Sequence, residues 1–489
     1  MKKLIAMVLA LASLLVLVCA CAQKEEGKKN NGVSDDDRLW LDNLPEDLDL
    51  EGADIKFIIG EADPPQTLSA RSIYVEEDDG DIVNSEIYNR NARIEDRLNC
   101  TITLVEAVQG GMQDTVTPIL MSGDDDYDVL GGRQHDDIDL CLDGYCLNLN
   151  TLAEYGADYI DINQKWWGTE YIDKMTYKDQ LYWITGVLSL RYISGANCLY
   201  VNSELYGKYV SDKHGDLYEI VKSGKWTLDL MGEMAALAYV DQNGNDKSDK
   251  GDIFGLHISV SGDMVDALAY AYGVHYSYET ADGTAIFNLS DTNADYINFM
   301  EKMGDIFKTR YSFHSTSDTA PSFQDGEILF RGARVQNAEL DYREMEQDFY
   351  IVPLPKRDEA SEYTTTIHDG NLLFAISYCT PQVAQSAAVL EAMAAESYRK
   401  VMPAYYDMAL KYKYTRDDNA AEMIDLIRDS ITTDFGFIWG RYVGCLYFTR
   451  GQLGGKVSGQ LKKVQSSWQN KFSELIEKFD QLEKDAAKA

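Results

Sequence analysis

Between Ala53 and Gly132 the chain alternates strand-like and helix-like stretches with short connections, and this rhythm limits the fold more than any other feature. ADIKFIIG (53–60) is a buried-strand run. NSEIYNRNARIEDRLN (84–99) carries Ile87, Ile94 and Leu98 at helical spacing. TITLVEA (101–107) alternates like a strand, MQDTVTPILMSG (112–123) reads as a helix ending at Gly123, and YDVLGG (127–132) is another short strand. Strands separated by helices in this way pair in parallel. The fold class is therefore α/β. Ligands of such sheets bind beyond the carboxyl ends of the strands, here near Glu61, Asp63 and Gly131 to Gln134.

The rest keeps to mixed α/β. MTYKDQLYWITG (175–186) holds two runs about a Lys-Asp-Gln turn, a predicted hairpin. CLYVNSELYGKYV (198–210) is a strand running into a helix. GKWTLDLMGEMAALAYV (224–240) is a helix in which Thr227 can cap, Asp229 sits in the positive first turn and Trp226 can staple onto Met231. YSYETADGTAIFNL (276–289) is a hairpin on Asp282-Gly283. DYINFMEKMGDIF (295–307) is amphipathic, and DFYIVPLPK (348–356) is a strand leaving through two prolines. A long final helix carries Val457, Leu461, Val464, Trp468, Phe472, Leu475, Phe479 and Leu482 every three or four residues.

The first residues give an address. Two lysines precede an apolar run from Leu4 to Val18, about 15 residues, which is signal-peptide length and short of the roughly 20 a membrane helix needs. It ends in Val18-Cys19-Ala20-Cys21, where the small Ala20 precedes Cys21 as in a bacterial lipobox. The expectation is a signal peptide over 1–20, lipid on Cys21 and a polar tether over 21–48, anchoring the chain outside the cell membrane. A formal charge of -36 repels nucleic acid and anionic lipid, so no nucleic-acid partner is expected. Six cysteines follow Cys21 without a CxxC, so neither zinc nor a disulfide framework is suggested.

DQNGNDKSDKGD (241–252) has the donor spacing of a calcium loop. Asp241, Asn243, Asn245 and Asp249 would offer side-chain oxygens, Lys247 its carbonyl and Asp252 the twelfth position. Position six is Asp246 where a sharp turn prefers Gly, and Asp252 is shorter than the usual Glu. The alternative is a solvated acidic loop.

The lipobox and tether, KWTLDLMGEMAALA, DFYIVPLPKRDE and VLEAMAAESYRKVMPAYYDMALKYKYTRDD, in this order, resemble the extracellular solute-binding lipoproteins of bacterial ABC importers, in particular large sugar-type members from Firmicutes. The resemblance covers nearly the whole mature chain. It implies a two-lobed clamshell of the periplasmic-binding-protein type, each lobe a mixed sheet flanked by helices. A carbohydrate, an oligosaccharide by expectation, would bind in the cleft and pass to ABC permease subunits. The lobes are expected at 49–193 with 311–372, and at 194–310 with 373–489; the protein is expected to be a monomer, and any calcium to be a structural staple. A same-fold protein for a peptide, amino acid or other solute, or a non-transport surface lipoprotein, stays open as an alternative.

Sugars present a weakly polar C–H face to aromatic rings and a hydroxyl rim to carboxylates, amides and arginine. KWWG places Trp166 and Trp167 side by side as leading candidates. SLRYISGAN offers Arg191, Tyr192 and Asn197 beside one lobe crossover. HISVSGD offers His257, Ser261 and Asp263; TIHDGN offers His368 and Asp369 at a second crossover; FGFIWGRY offers Trp439, Arg441 and Tyr442. No HExxH, GxSxG, GxGxxG or complete Walker loop occurs, so no enzyme is expected.

Overall fold

The computed structural model describes residues 40–61, 68–259, 262–314, 320–411, 418–451 and 457–486. The described residues from Asp42 onward form one compact unit. The expected signal peptide, Cys21 and nearly all of the tether lie outside the described residues, as do Asp63 and Ser261. Among the described residues no helix is long and apolar enough to cross a membrane.

Within Asp42–Ala489 the first lobe is built on a four-stranded sheet. β1 (Ala53–Glu61) pairs in parallel with β2 (Cys100–Gln109) and β3 (Val129–Arg133), as the strand–helix rhythm predicts. β11 (Leu372–Ile376) closes the far edge antiparallel to β3, giving the order β11-β3-β1-β2. β1 and β11 are apolar runs because helices cover them, and Ile55, Phe57, Ile58 and Ile59 are buried. The helix Ile82–Leu98 starts where Asp81 accepts from the Val83 and Asn84 amides. It ends at Asn99, whose φ of 50° is left-handed, and it buries Val83, Ile87, Ile94 and Leu98 on one stripe. Each such side chain contributes about 1.5–3 kcal/mol by leaving water.

The second sheet has the order β10-β4-β9-β5-β8. Its strands are β4 (Asn197–Asn202), β5 (Phe254–His257), β8 (Ser312–Phe313), β9 (Ile328–Arg334) and β10 (Phe349–Val352). β5 runs parallel to β8 and β9, and β4 antiparallel to β9 and β10. The helix Leu228–Ala238 is capped by Thr227, whose hydroxyl accepts from the Leu230 amide at 3.3 Å. It lies so close to β5 that a Cβ at Gly255 would stand 1.9 Å from the Ala235 carbonyl oxygen. The predicted hairpin forms as β6 (Ser277–Glu279) and β7 (Ala285–Phe287), with Gly283 left-handed in its turn. The helix Val457–Ala486 lies along both lobes: Trp468 and Phe472 pack on Phe287 of the hairpin, and Phe479 on Tyr177 of the first lobe.

Three expectations need correction. Most of 311–372 does not join the first lobe: β8, β9 and β10 complete the second sheet, and only the end, from Asp369 to Leu372, bonds to the first. Residues 373–489 do not belong wholly to the second lobe, because β11 pairs with β3 and the helix Val383–Glu396 packs on the first lobe through Glu391. The chain stays in the second lobe until it crosses back at Thr365–His368, and the next strand then pairs with β3. The hairpin at 175–186 does not form either. Tyr177 and Gln180 make an isolated bridge, while Ile184 bridges to Phe374 and Gly186 to Trp167, so the second arm's partners lie elsewhere.

Candidate functional site

Three chain segments cross between the lobes and bond to one another. Ala196 bridges Ile367, the Asn197 amide donates to the Thr366 carbonyl at 3.0 Å, and the His368 amide to the Gly195 carbonyl at 2.9 Å. The third segment follows: the Thr365 amide donates to Ser430 and the Thr432 amide to Thr365, at 2.8 and 2.9 Å. The crossovers inferred at SGAN and TIHDGN are the hinge.

The carboxyl ends of both sheets meet at this hinge. Arg133 at the end of β3 pairs with Leu372, and the Gln134 and His135 amides donate to the carbonyls of Asn371 and Asp369. Arg334 at the end of β9 pairs with Asn197, and β5 runs parallel beside β9 toward the same side. Junctions of this kind are where open α/β sheets hold ligands.

A connected set of charges fills the junction. Arg450 donates from Nη2 to Asp369 Oδ2 at 2.7 Å and from Nε to Asp266 Oδ2 at 2.6 Å, tying the hinge to the second lobe. Asp136 of the first lobe pairs with Arg133 at 2.8 Å and with Arg441. His135 bonds the Asp369 carbonyl through Nδ1 at 2.7 Å. Burial pushes His368 down to about 4, so it is neutral at pH 7. Burial alone would raise Asp369, but His368, protonated in the acid range where a carboxyl titrates, and Arg450 foremost hold it below the ordinary carboxylate range. Burial also raises Asp137 and Asp266, each to about 7. Asp263 is 9% exposed, and among the described residues its Oδ2 has no hydrogen-bond partner. Burial opposes its charge, but His368 and Arg334 outweigh burial and keep its carboxyl below the usual range.

Of the residues singled out in the sequence, Arg191, Asn197, Asp263, His368, Asp369 and Arg441 lie here. Arg191 and Asn197 serve the hinge itself. The Arg191 Nε donates to the Gly370 carbonyl at 3.2 Å, and the Asn197 amide to the Thr366 carbonyl at 3.1 Å. Trp166 and Trp167 are not open to a ligand. Both are buried, and their indole nitrogens donate to the two oxygens of Glu391 at 3.1 and 2.8 Å. Tyr192 is buried edge-on against Tyr171. Trp439 is buried among Phe435, Tyr442 and Phe479, and half-buried Tyr442 lies under Lys478 of the final helix. These side chains are consumed by packing.

The sequence reading missed Tyr447 and Arg450. Tyr447 is 51% exposed, and the Arg450 guanidinium lies 4.8 Å from its ring centre. It is the open aromatic face beside this set of carboxylates. Its neighbours Leu446 and Phe448 give the stretch the look of core, so only its excess of polarity over a core run could have drawn attention.

The loop Asp241–Asp252 is closed by its own hydrogen bonds. Asp241 accepts from the Gly244 and Asp246 amides, both at 2.8 Å. The Asn243 and Asn245 amide nitrogens donate to the two oxygens of Asp249, at 2.9 and 2.8 Å. Asp246 has a φ of 60°, the left-handed conformation that position six of a calcium loop requires. Among the described residues no three Asp, Glu, His or Cys side chains converge on a metal position. A cation here would need both amides to turn their oxygens inward, which their near-symmetric shape permits.

No protein-family model matches the chain, and no curated protein matches it. Solved structures do. An ABC substrate-binding protein from Listeria monocytogenes in complex with cycloalternan superposes with a TM-score of 0.52 at 11% identity, over 87% of this chain and 99% of that one. UspC from M. tuberculosis gives 0.53 at 12%, over 86% and 100%. CpMnBP1, solved with mannotriose bound, gives 0.51 at 13%, over 85% and 100%. At such identities the likeness establishes the fold: a two-lobed clamshell of the periplasmic-binding-protein type, its mixed sheets flanked by helices.

Proposed function

We propose that this chain is an extracellular solute-binding protein that captures a carbohydrate at the junction between its lobes and delivers it to an ABC permease. The observation that carries the reading is the convergence of both sheets' carboxyl ends on a hinged junction. There Asp263 holds a buried carboxylate oxygen with no partner among the described residues, and Tyr447 an open ring. A carboxylate oxygen accepts from sugar hydroxyls and a ring covers a sugar's C–H face. Two of the similar structures hold glycans, cycloalternan and mannotriose, which supports this ligand class. On this reading Cys21 carries the lipid, the anchor is at the outer face of the cell membrane, and no catalysis is involved.

The test is a thermal-shift screen of the intact chain against mono- and oligosaccharides, with amino acids and short peptides alongside. A ligand at a hundredfold excess over Kd adds about 2.7 kcal/mol to stability. Stabilisation by one glycan class, weakened in Asp263→Asn and Tyr447→Ala, is the expected result. Stabilisation by peptides alone would overturn the carbohydrate assignment.

A further inference from the structure

A cavity of about 640 Å³ lies away from the charged junction, between the first-lobe helix Thr169–Met175 and the second-lobe hairpin β6–β7. Its size falls in the about 300–1,000 Å³ range of small-molecule sites. Thr364 and Thr432, beside the hinge crossings, line it too. The hairpin turn approaches the first lobe directly, since a Cβ on Gly283 would stand 3.7 Å from Lys178 Cγ. None of the charged residues of the junction lines the cavity, and two of the junction's residues are bonded by buried tyrosines. The Tyr171 hydroxyl bonds Gln134, and the Tyr276 hydroxyl bonds Asp266 at 3.2 Å.

The lining has a consistent chemistry. Glu170 comes from the first lobe and Glu279 from the second, and among the described residues neither is in an ion pair. Asp434 adds a third carboxylate, already engaged by the Tyr276 amide at 2.8 Å and the Ser277 hydroxyl at 3.2 Å. Lys174 is drawn to its neighbour Asp173 at 3.3 Å, His275 lies 3.7 Å from Asp434, and among the described residues no arginine lines the cavity. Tyr278 is 54% exposed and presents a ring. Carboxylates without an ion pair from both lobes, lining hydroxyls and an open ring suit a hydroxyl-rich solute with an amine, and they repel a uronate or a phosphate.

We propose that this cavity is a second binding site, distinct from the junction, for an amino sugar. An ammonium group would be shared by Glu170 and Glu279, with the sugar's C–H face on Tyr278. Because the two carboxylates belong to different lobes, a ligand held by both favours the arrangement that brings them together.

The experiment is calorimetric titration of the intact chain with the β-1,4-linked glucosamine dimer, its N-acetylated counterpart and a galacturonate dimer. The glucosamine dimer is expected to bind more tightly than the other two, and to weaken as salt rises. Glu279→Gln and Tyr278→Ala, both at exposed positions, should each weaken it about fivefold or more. Asp263→Asn, at the junction, should leave it unchanged. Equal affinity for the free-amine and N-acetylated dimers, no binding of the glucosamine dimer, or indifference to both cavity substitutions would overturn the assignment. Loss on Asp263→Asn alone would also overturn it, by placing the amino sugar at the junction. The junction reading is judged separately, by its own glycan screen.

Discussion

Replacing Glu391 by Gln tests whether Trp166 and Trp167 are structural. Both indole N–H groups donate to this one carboxylate, which is completely buried. Burial raises its pKa from the ordinary 4.5 to about 7 against the pull of the two indoles. The folded state therefore holds the proton more tightly than the unfolded chain does. The stability that this proton confers is fully present below pH 4.5 and is lost as pH rises through 7. At about 1.4 kcal/mol for each unit of pKa, the wild type gives up about 3 kcal/mol over that window. Gln does not titrate. It leaves one indole N–H facing an amide N–H₂, a loss of about 1–3 kcal/mol that does not vary with pH. The variant should thus be less stable than wild type by about 2 kcal/mol at pH 4.5, and should match or exceed it at pH 8.5. Urea unfolding at several pH values measures both curves. Other buried carboxyls, Asp137 and Asp266 among them, titrate equally in the two proteins and cancel. A stability difference that stays constant from pH 4.5 to 8.5 would refute the argument and return both tryptophans to the list of ligand contacts.

Arg450→Met should destabilise the fold by about 3–5 kcal/mol at pH 8, since it strips the cation from buried Asp266 and Asp369. The loss should shrink toward pH 5, where Asp266, raised to about 7, is protonated; chemical unfolding at the two pH values decides it. Gly255→Ala should cost several kcal/mol or prevent folding, because its Cβ meets the Ala235 carbonyl with no flexible atom to give way; a melting temperature within a degree or two of wild type would contradict this. If the loop 241–252 takes calcium, millimolar calcium should raise the melting temperature and Asp241→Ala should remove the rise. Identical melting with calcium and with chelator would reduce the loop to a self-bonded turn.

Much of the fold was legible because its signals are local. The separate strands and helices of the β1–β2–β3 rhythm, the Thr227 cap, the Asp282-Gly283 turn and the stripe of the final helix are each read from one short stretch, and each forms. What the sequence hid depends on distant partners. The leading candidates failed because Glu391, 225 residues after Trp166, takes both indole N–H groups, and nothing near KWWG announces it. Lobe membership of 311–372 failed for the same reason: β9 sits between β4 and β5, and only pairing across more than a hundred residues decides that. Irregular polar segments did mark the hinge, since a crossing chain must leave regular structure and still satisfy its backbone. Those residues bond mainly one another, however. The side chains left open toward a ligand come from beside the crossings, Asp263 just before a helix and Tyr447 after the third segment. A short irregular stretch therefore locates a cleft better than it identifies the residues that touch what the cleft holds.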